Sequence, residues 1–168
     1  LSAIILAGGE GRRMNYANKG LELFKGKSLI RHVTHRVSQQ VDDIVISANR
    51  DLEKFADLGF PVVTDQGKSQ GPLSGIKSAV QECRHDTIFI TACDLPNLPL
   101  DIVDRLLHEF NGVAATAKVS GRVEPLASLV SRAAIGKIDG VLEAGKRSVM
   151  YWLESCGGQI VPISPTHH

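Results

Sequence analysis

The chain has 168 residues, 43% hydrophobic and 22% charged, and its 19 Lys and Arg against 18 Asp and Glu leave a net charge of +1. That size and mixture predict a single globular domain over residues 1–168 with a full core, and the even charge gives no general reason to expect a nucleic acid or membrane partner. Cys83, Cys93 and Cys156 are an odd number without zinc-ligand or CxxC spacing, which argues against a disulfide scaffold and places the protein in a reducing compartment, the cytoplasm.

The chain opens on Leu1 rather than Met, which suggests trimming or missing residues, and its first apolar run is too short and lacks the basic flank of a signal sequence or membrane span. It reads as a strand, Ser2 to Leu6, running into a loop rich in glycine and arginine: Gly8, Gly9, Gly11, Arg12 and Arg13, then Lys19. Glycine tolerates positive φ, so backbone N–H groups can converge on an anion while the basic side chains supply countercharge. The loop predicts phosphate binding. Gly9-x-Gly11 has Met14 where a dinucleotide fingerprint needs its third glycine, and Gly67-Lys68-Ser69 has Val62 where a Walker A loop needs glycine, so neither of those sites is supported. From Arg12 to Arg31 the basic residues Arg12, Arg13, Lys19, Lys25, Lys27 and Arg31 face only Glu22 among acids, a local positive field.

A helical stripe follows at Leu29, Ile30, Val33 and Val37, then a strand at Ile44 to Ser47 and another at Pro61 to Thr64. His32 and His35 are three apart on that helix and could chelate metal, but with no third ligand nearby they read as a solvated face. Asp65 follows the strand and precedes the Gly71-Pro72-Leu73-Ser74-Gly75 segment. Its carboxylate could accept from a nucleobase or ribose, with the glycines allowing a base to approach the backbone; an ordinary loop aspartate before a helix entry at Pro72 is the alternative. After the stripe Leu73, Ile76, Val80 and Cys83 comes the buried strand Thr87 to Ala92, and Asp94 stands just beyond it, where a magnesium ligand belongs, although Asp also serves ordinary turns.

Further stripes at Ile102, Val103, Leu106, Leu107 and Phe110 and at Ala134, Ile138, Val141 and Leu142 flank strands at Val113 to Ala117 and Pro125 to Val130. Tyr151 and Trp152 read as core. The alternation predicts an α/β fold in three layers, α/β/α, around a mostly parallel sheet, because Ile88-Phe89-Ile90 is apolar on consecutive residues and needs cover on both faces. No repeat, low-complexity tract or linker is evident. Ligands of such sheets sit beyond the carboxyl ends of the strands, so the loops after Leu6, Ser47, Thr64 and Ala92 should share one cleft.

Together, Leu6-Ala7-Gly8-Gly9, Arg13-Met14, Lys19-Gly20-Leu21, Gly26-Lys27, Gly71-Pro72-Leu73-Ser74-Gly75 and Cys93-Asp94-Leu95-Pro96 give a chain that, over nearly its whole length, closely resembles the molybdenum cofactor guanylyltransferases of the MobA family. The resemblance implies a Rossmann-like sheet of the nucleotide-diphospho-sugar transferase type. It implies transfer of GMP from GTP onto the terminal phosphate of molybdopterin, release of pyrophosphate, and Mg²⁺ as cofactor. GTP and molybdopterin are the implied partners, with other cofactor-biosynthesis proteins and apo-molybdoenzymes beside them. The first glycine and arginine motif marks the wider nucleotidyltransferase superfamily, including enzymes that act on sugar phosphates. The narrower likeness lies in Lys19-Gly20-Leu21, Ser47-Ala48-Asn49-Arg50, the Gly71 to Gly75 segment, and Leu142 to Met150, which is similar to the family's pterin-side segment.

Carried over by position, Leu6, Ala7, Gly8 and Gly9 would wrap the nucleotide with Gly71 and Gly75, Lys19 and Arg13 would meet its phosphates, Asp65 would bind the nucleoside, and Asp94 would hold Mg²⁺. Ser47 and Asn49 are the candidates at the second strand end, Asn49 offering more hydrogen bonds. Arg122 and Arg147 are candidates for the anionic acceptor, since a guanidinium grips phosphate bidentately, with ordinary surface arginines as the alternative. Two departures stand out. Where the family reads RMGG-x-DKG, Asn15, Tyr16 and Asn18 replace two glycines and an acid, and the family's Asn-rich C-terminal segment is missing after Pro165-Thr166-His167-His168, as though a tail were lacking. A CTP-dependent or sugar-phosphate relative, and a nucleotide-binding module without turnover, are the competing readings.

Overall fold

A computed structural model describes residues 1–7, 19–65 and 71–164. Consecutive apolar residues in the central strands are divided between two helical layers. In β1 (Ser2–Leu6), Ala3 and Ile5 join one core while Ile4 joins the other. After a short 3₁₀ turn at Lys19–Leu21 and a hairpin of β2 (Leu23–Phe24) and β3 (Lys27–Ser28), α1 (Leu29–Ser38) begins with the Ser28 hydroxyl accepting from the Arg31 N–H. Then come β4 (Asp43–Ser47), α2 (Leu52–Ala56), β5 (Val62–Val63), α3 (Pro72–Ala79), β6 (Thr87–Ala92), α4 (Ile102–His108), β7 (Ala114–Val119) and β8 (Arg122–Ser131). The chain continues through α5 (Arg132–Ile135), α6 (Ile138–Glu143), α7 (Val149–Ser155) and β9 (Gln159–Ile163).

The large sheet has seven strands in the order β5-β4-β1-β6-β8-β7-β9, and only the pairings of β8 with β6 and β7 are antiparallel. The expected α/β architecture with a mostly parallel sheet is therefore present. One core holds Ile30, Val33, Val37, Phe55, Ile102 and Leu106 from α1, α2 and α4; the other holds Leu73, Ile76, Ile138, Val141, Trp152 and Leu153 from α3, α6 and α7. Ile88 and Ile90 face the second and Phe89 the first, which accounts for the unbroken apolar run in β6. Among the described residues no helix is long and apolar enough to cross a membrane.

The amino ends of the strands are tied off by polar groups that satisfy one another. Ser2 Oγ donates to Asp43 Oδ1 at 2.6 Å and accepts the His85 N–H at 3.0 Å. Arg132 spreads its guanidinium over the carbonyls of Val80, Cys83 and His85 at 2.7 to 2.9 Å and the Asp86 carboxylate at 3.1 Å. An arginine with its fork filled in this way is a structural clamp.

Several elements depart from the sequence expectations. The stripe from Ala134 to Leu142 is two helices, because the chain turns at Gly136 and Lys137 between α5 and α6. β9 was not expected, since Pro162 interrupts its pattern, yet it is an edge strand, where a missing N–H is tolerated. Trp152 is fully buried and donates from Nε1 to the Ala134 carbonyl at 2.8 Å, whereas Tyr151, expected in the core beside it, is exposed with Lys146 Nζ 5.6 Å from its ring centre. The buried face of α7 is centred on Trp152 and Leu153, and Tyr151, about 100° round from Trp152 on the side away from Leu153, falls outside it. His35 lies on a solvated face as expected, but His32 does not: its Nε2 donates to the Phe24 carbonyl and its ring meets the Phe24 ring edge-on.

Candidate active site

The four adjacent parallel strands β5, β4, β1 and β6 end level with one another. Leu6 of β1 stands opposite Ser47 of β4 and Ala92 of β6, and Ser47 stands opposite Val63 of β5. The ladder continues one step further, with Ala7 N–H donating to the Ser47 carbonyl at 2.7 Å, Ala48 N–H to Val63 at 3.0 Å, and Cys93 N–H to Leu6 at 3.1 Å. Just past that row stand Asn49, Asp65 and Asp94 on three different strand exits, at the edge of the sheet where the sequence places the ligand; most of the loops after Leu6 and Thr64 lie outside the described residues. Asp65 and Asp94 leave strands separated by three interstrand spacings, roughly 14 Å at the usual 4.8 Å each. An extended nucleoside triphosphate can bridge that span.

At the β5 end the Asp65 N–H donates to Asn49 Oδ1 at 3.0 Å, and Ser78 Oγ, on α3, donates to Asp65 Oδ1 at 2.9 Å. Asn49 thus spends its acceptor on the backbone of Asp65 and keeps its amide N–H₂ as the part able to donate outward. Gly75 is buried, and a Cβ placed there would lie 2.7 Å from Ser47 Oγ and 3.4 Å from Leu6 Cδ2. Its glycine lets α3 sit directly on the strand ends, a helix-packing requirement where the sequence suggested approach by a base. Gly71, at φ +84°, precedes Pro72 at the exposed start of α3.

Asp94 is exposed in the turn after β6, and the chain leaving it is pinned to α1 and the turn that follows it. Arg36 Nη1 donates to the Leu98 carbonyl at 2.9 Å, Gln40 Nε2 donates to Pro99 at 3.3 Å, and Gln40 Oε1 accepts the Val103 N–H at 2.9 Å. Ser78, Arg36 and Gln40 were not singled out in the sequence. The only trace they left there is a polar residue beside an apolar stripe, a pattern shared by every solvated helix face.

Gly8, Gly9, Gly11, Arg12, Arg13, Met14, Asn15, Tyr16 and Asn18 lie outside the described residues, as does the side chain of Lys19, whose backbone opens the 3₁₀ turn before β2. Arg122 is exposed at the start of β8, opposite Val119. Ala127 of the same strand is opposite Thr91, so the β7–β8 hairpin projects past the end of β6 and carries Arg122 on the carboxyl-end side. Arg147 is exposed between α6 and α7.

Among the described residues no three His, Cys, Asp or Glu side chains gather as a metal cluster. No disulfide links Cys83, Cys93 and Cys156; burial pushes the Cys83 thiol up to about 12 and raises that of Cys156, so both stay protonated at neutral pH. Two further concavities lie away from the cleft. One, at the amino ends of β4 and β5, is lined by Asp42, Asp43 and Glu82 with Arg84, a set that disfavours a triphosphate; the other runs between α4 and β9.

Comparison with known proteins identifies the family. The MobA-like NTP transferase domain matches residues 3–156. A molybdenum cofactor guanylyltransferase of Mannheimia succiniciproducens is 38% identical over 168 residues, covering 98% of this chain and 88% of its own. One from Haemophilus influenzae is 36% identical over 162 residues, covering 94% and 84%. The crystal structure of molybdopterin-guanine dinucleotide biosynthesis protein A from Archaeoglobus fulgidus matches with a TM-score of 0.74 at 22% identity, covering 96% of this chain and 83% of that one, and shares the fold. With the family model matched across residues 3–156 and a relative 38% identical over 168 residues, the chain belongs to the MobA-like NTP transferase family.

Proposed function

We propose that the chain is a nucleotidyltransferase that moves GMP from GTP onto the terminal phosphate of molybdopterin and releases pyrophosphate. The observation that carries this reading is the level row of strand ends, with Asn49 and Asp65 at one side and Asp94 at the other. The nucleoside lies toward β4 and β5, where Asp65 accepts from it and Asn49 donates to it. Its phosphates cross Leu6, Ala7, Gly8 and Gly9 toward Lys19, Arg13 and Asp94, while Gly71 and Gly75 frame the α3 side. Hard cations take oxygen ligands and are commonly held by one or two carboxylates plus phosphates, so a lone exposed Asp94 fits Mg²⁺ arriving with GTP. When bound, the metal neutralises charge on the phosphate oxygens.

The acceptor phosphate oxygen attacks the α-phosphorus, the bond to the pyrophosphate oxygen breaks, and no protein nucleophile is needed. The chain positions the two substrates and stabilises the charge that gathers on the leaving group, a task for Lys19 and Arg13. Pyrophosphate release, measured with GTP, CTP and ATP in turn, each with and without molybdopterin, tests this reading. Release only with GTP and molybdopterin together is expected; release with CTP or ATP instead, or none with GTP, contradicts it.

Arg122 and Arg147 are assigned to the anionic end of the acceptor. Arg147→Ala should weaken acceptor use by about 1.5 to 3 kcal/mol, the worth of a hydrogen bond to a charged group, and leave GTP affinity nearly unchanged. Turnover against molybdopterin concentration, paired with a calorimetric GTP titration, reads both numbers. Lost GTP binding, or full acceptor use, returns Arg147 to the ordinary surface.

A further inference from the structure

We infer that Ser78 is a positioning residue for the nucleoside end of the cleft, its hydroxyl fixing the carboxylate of Asp65. The inference rests on the assignment of Asp65 to the nucleoside. Asp65 stands just past β5, a strand of only two residues at the edge of the sheet. Nothing in so short a strand would hold a carboxylate in one rotamer.

Two hydrogen bonds from other elements do so. Asn49, beyond β4, accepts the Asp65 backbone N–H at 3.0 Å, and Ser78 donates to Oδ1 at 2.9 Å. Serine inside a helix ordinarily faces water or bonds a carbonyl of the preceding turn. Here the half-buried hydroxyl reaches across to another element. Its origin is rigid, because α3 buries Leu73, Ile76 and Ala79 and rests through Gly75 on Ser47 and Leu6. With Oδ1 engaged, Oδ2 is the oxygen presented for a ligand donor, and an ionised carboxylate can only accept. Preorganisation of this kind removes an ordering cost that binding would otherwise carry.

The test is a double-mutant cycle read by calorimetric titration of GTP into the full chain. Ser78→Ala improves helix propensity and leaves no buried charge, so the fold should persist, with circular dichroism as the check. It should weaken GTP binding about fivefold to tenfold, the net worth of one hydrogen bond, while kcat at saturating GTP stays near wild type. Ser78→Thr, which restores the donor, should recover the affinity. In an Asp65→Ala background, which removes the acceptor and is itself weakened, Ser78→Ala should add less than about twofold, because coupled residues are not additive. Wild-type affinity in Ser78→Ala, or the same loss with and without Asp65→Ala, overturns the inference while leaving the nucleoside role of Asp65 standing. Wild-type affinity in Asp65→Ala alone removes that role, and the inference with it.

Discussion

Asp94→Asn should lower magnesium-dependent turnover by about a hundredfold or more, on the scale of losing one preorganised electrostatic contact at the reacting group, while the protein still folds. The carboxylate is exposed in the turn that follows β6, and the core beneath it, Ile88 to Thr91, is complete without it. A substitution at such a surface position ordinarily changes stability by less than about 0.5 kcal/mol. Asparagine keeps the shape and removes the charge that a hard cation requires. Activity titrated with Mg²⁺, beside a thermal melt, separates the two effects. An unchanged magnesium dependence in the folded variant removes Asp94 from the metal.

Lys19→Ala should lose about 2 to 4 kcal/mol of transition-state stabilisation, a thirtyfold to thousandfold drop in turnover. Its backbone is held from the C-terminal side. Gly20 is buried, Leu21 packs on the core, and the Leu29 N–H donates to the Glu22 carbonyl at 2.8 Å. The hairpin after it turns through Lys25 and Gly26 at φ 50° and 81°, and His32 bonds the Phe24 carbonyl. The Lys19–Leu21 turn that carries the lysine's backbone is therefore anchored next to α1. Steady-state kinetics at saturating acceptor measure the effect, and a loss below about threefold, less than 0.7 kcal/mol, means that Lys19 does not meet the charge that develops on pyrophosphate.

Periodicity made the fold legible wherever burial was one-sided or complete. Ile30, Val33 and Val37 mark α1, and the unbroken run Ile88-Phe89-Ile90 marks a strand with helices on both faces. It failed where the element was short or its chemistry contrary: the two-residue strands of the hairpin, α7, and β9 with Pro162 at a sheet edge. The candidate site was legible as strand exits, because Asp65 and Asp94 each follow an apolar run and the sheet topology brings such exits to one edge. Contacts between elements were not. The bond from Ser78 to Asp65, the pins of Arg36 and Gln40 on the loop after Asp94, and the fit of Gly75 against Ser47 depend on distances that no local pattern encodes.

A crystal structure with GTP and Mg²⁺ bound tests the placement of the site most directly. The base or ribose should lie within hydrogen-bond distance of Asp65 and Asn49, the phosphates over Leu6 and Ala7 near Lys19, and the metal on Asp94. Density for the nucleotide at the amino ends of β4 and β5, against Asp42 and Glu82, or in the groove between α4 and β9, would contradict it.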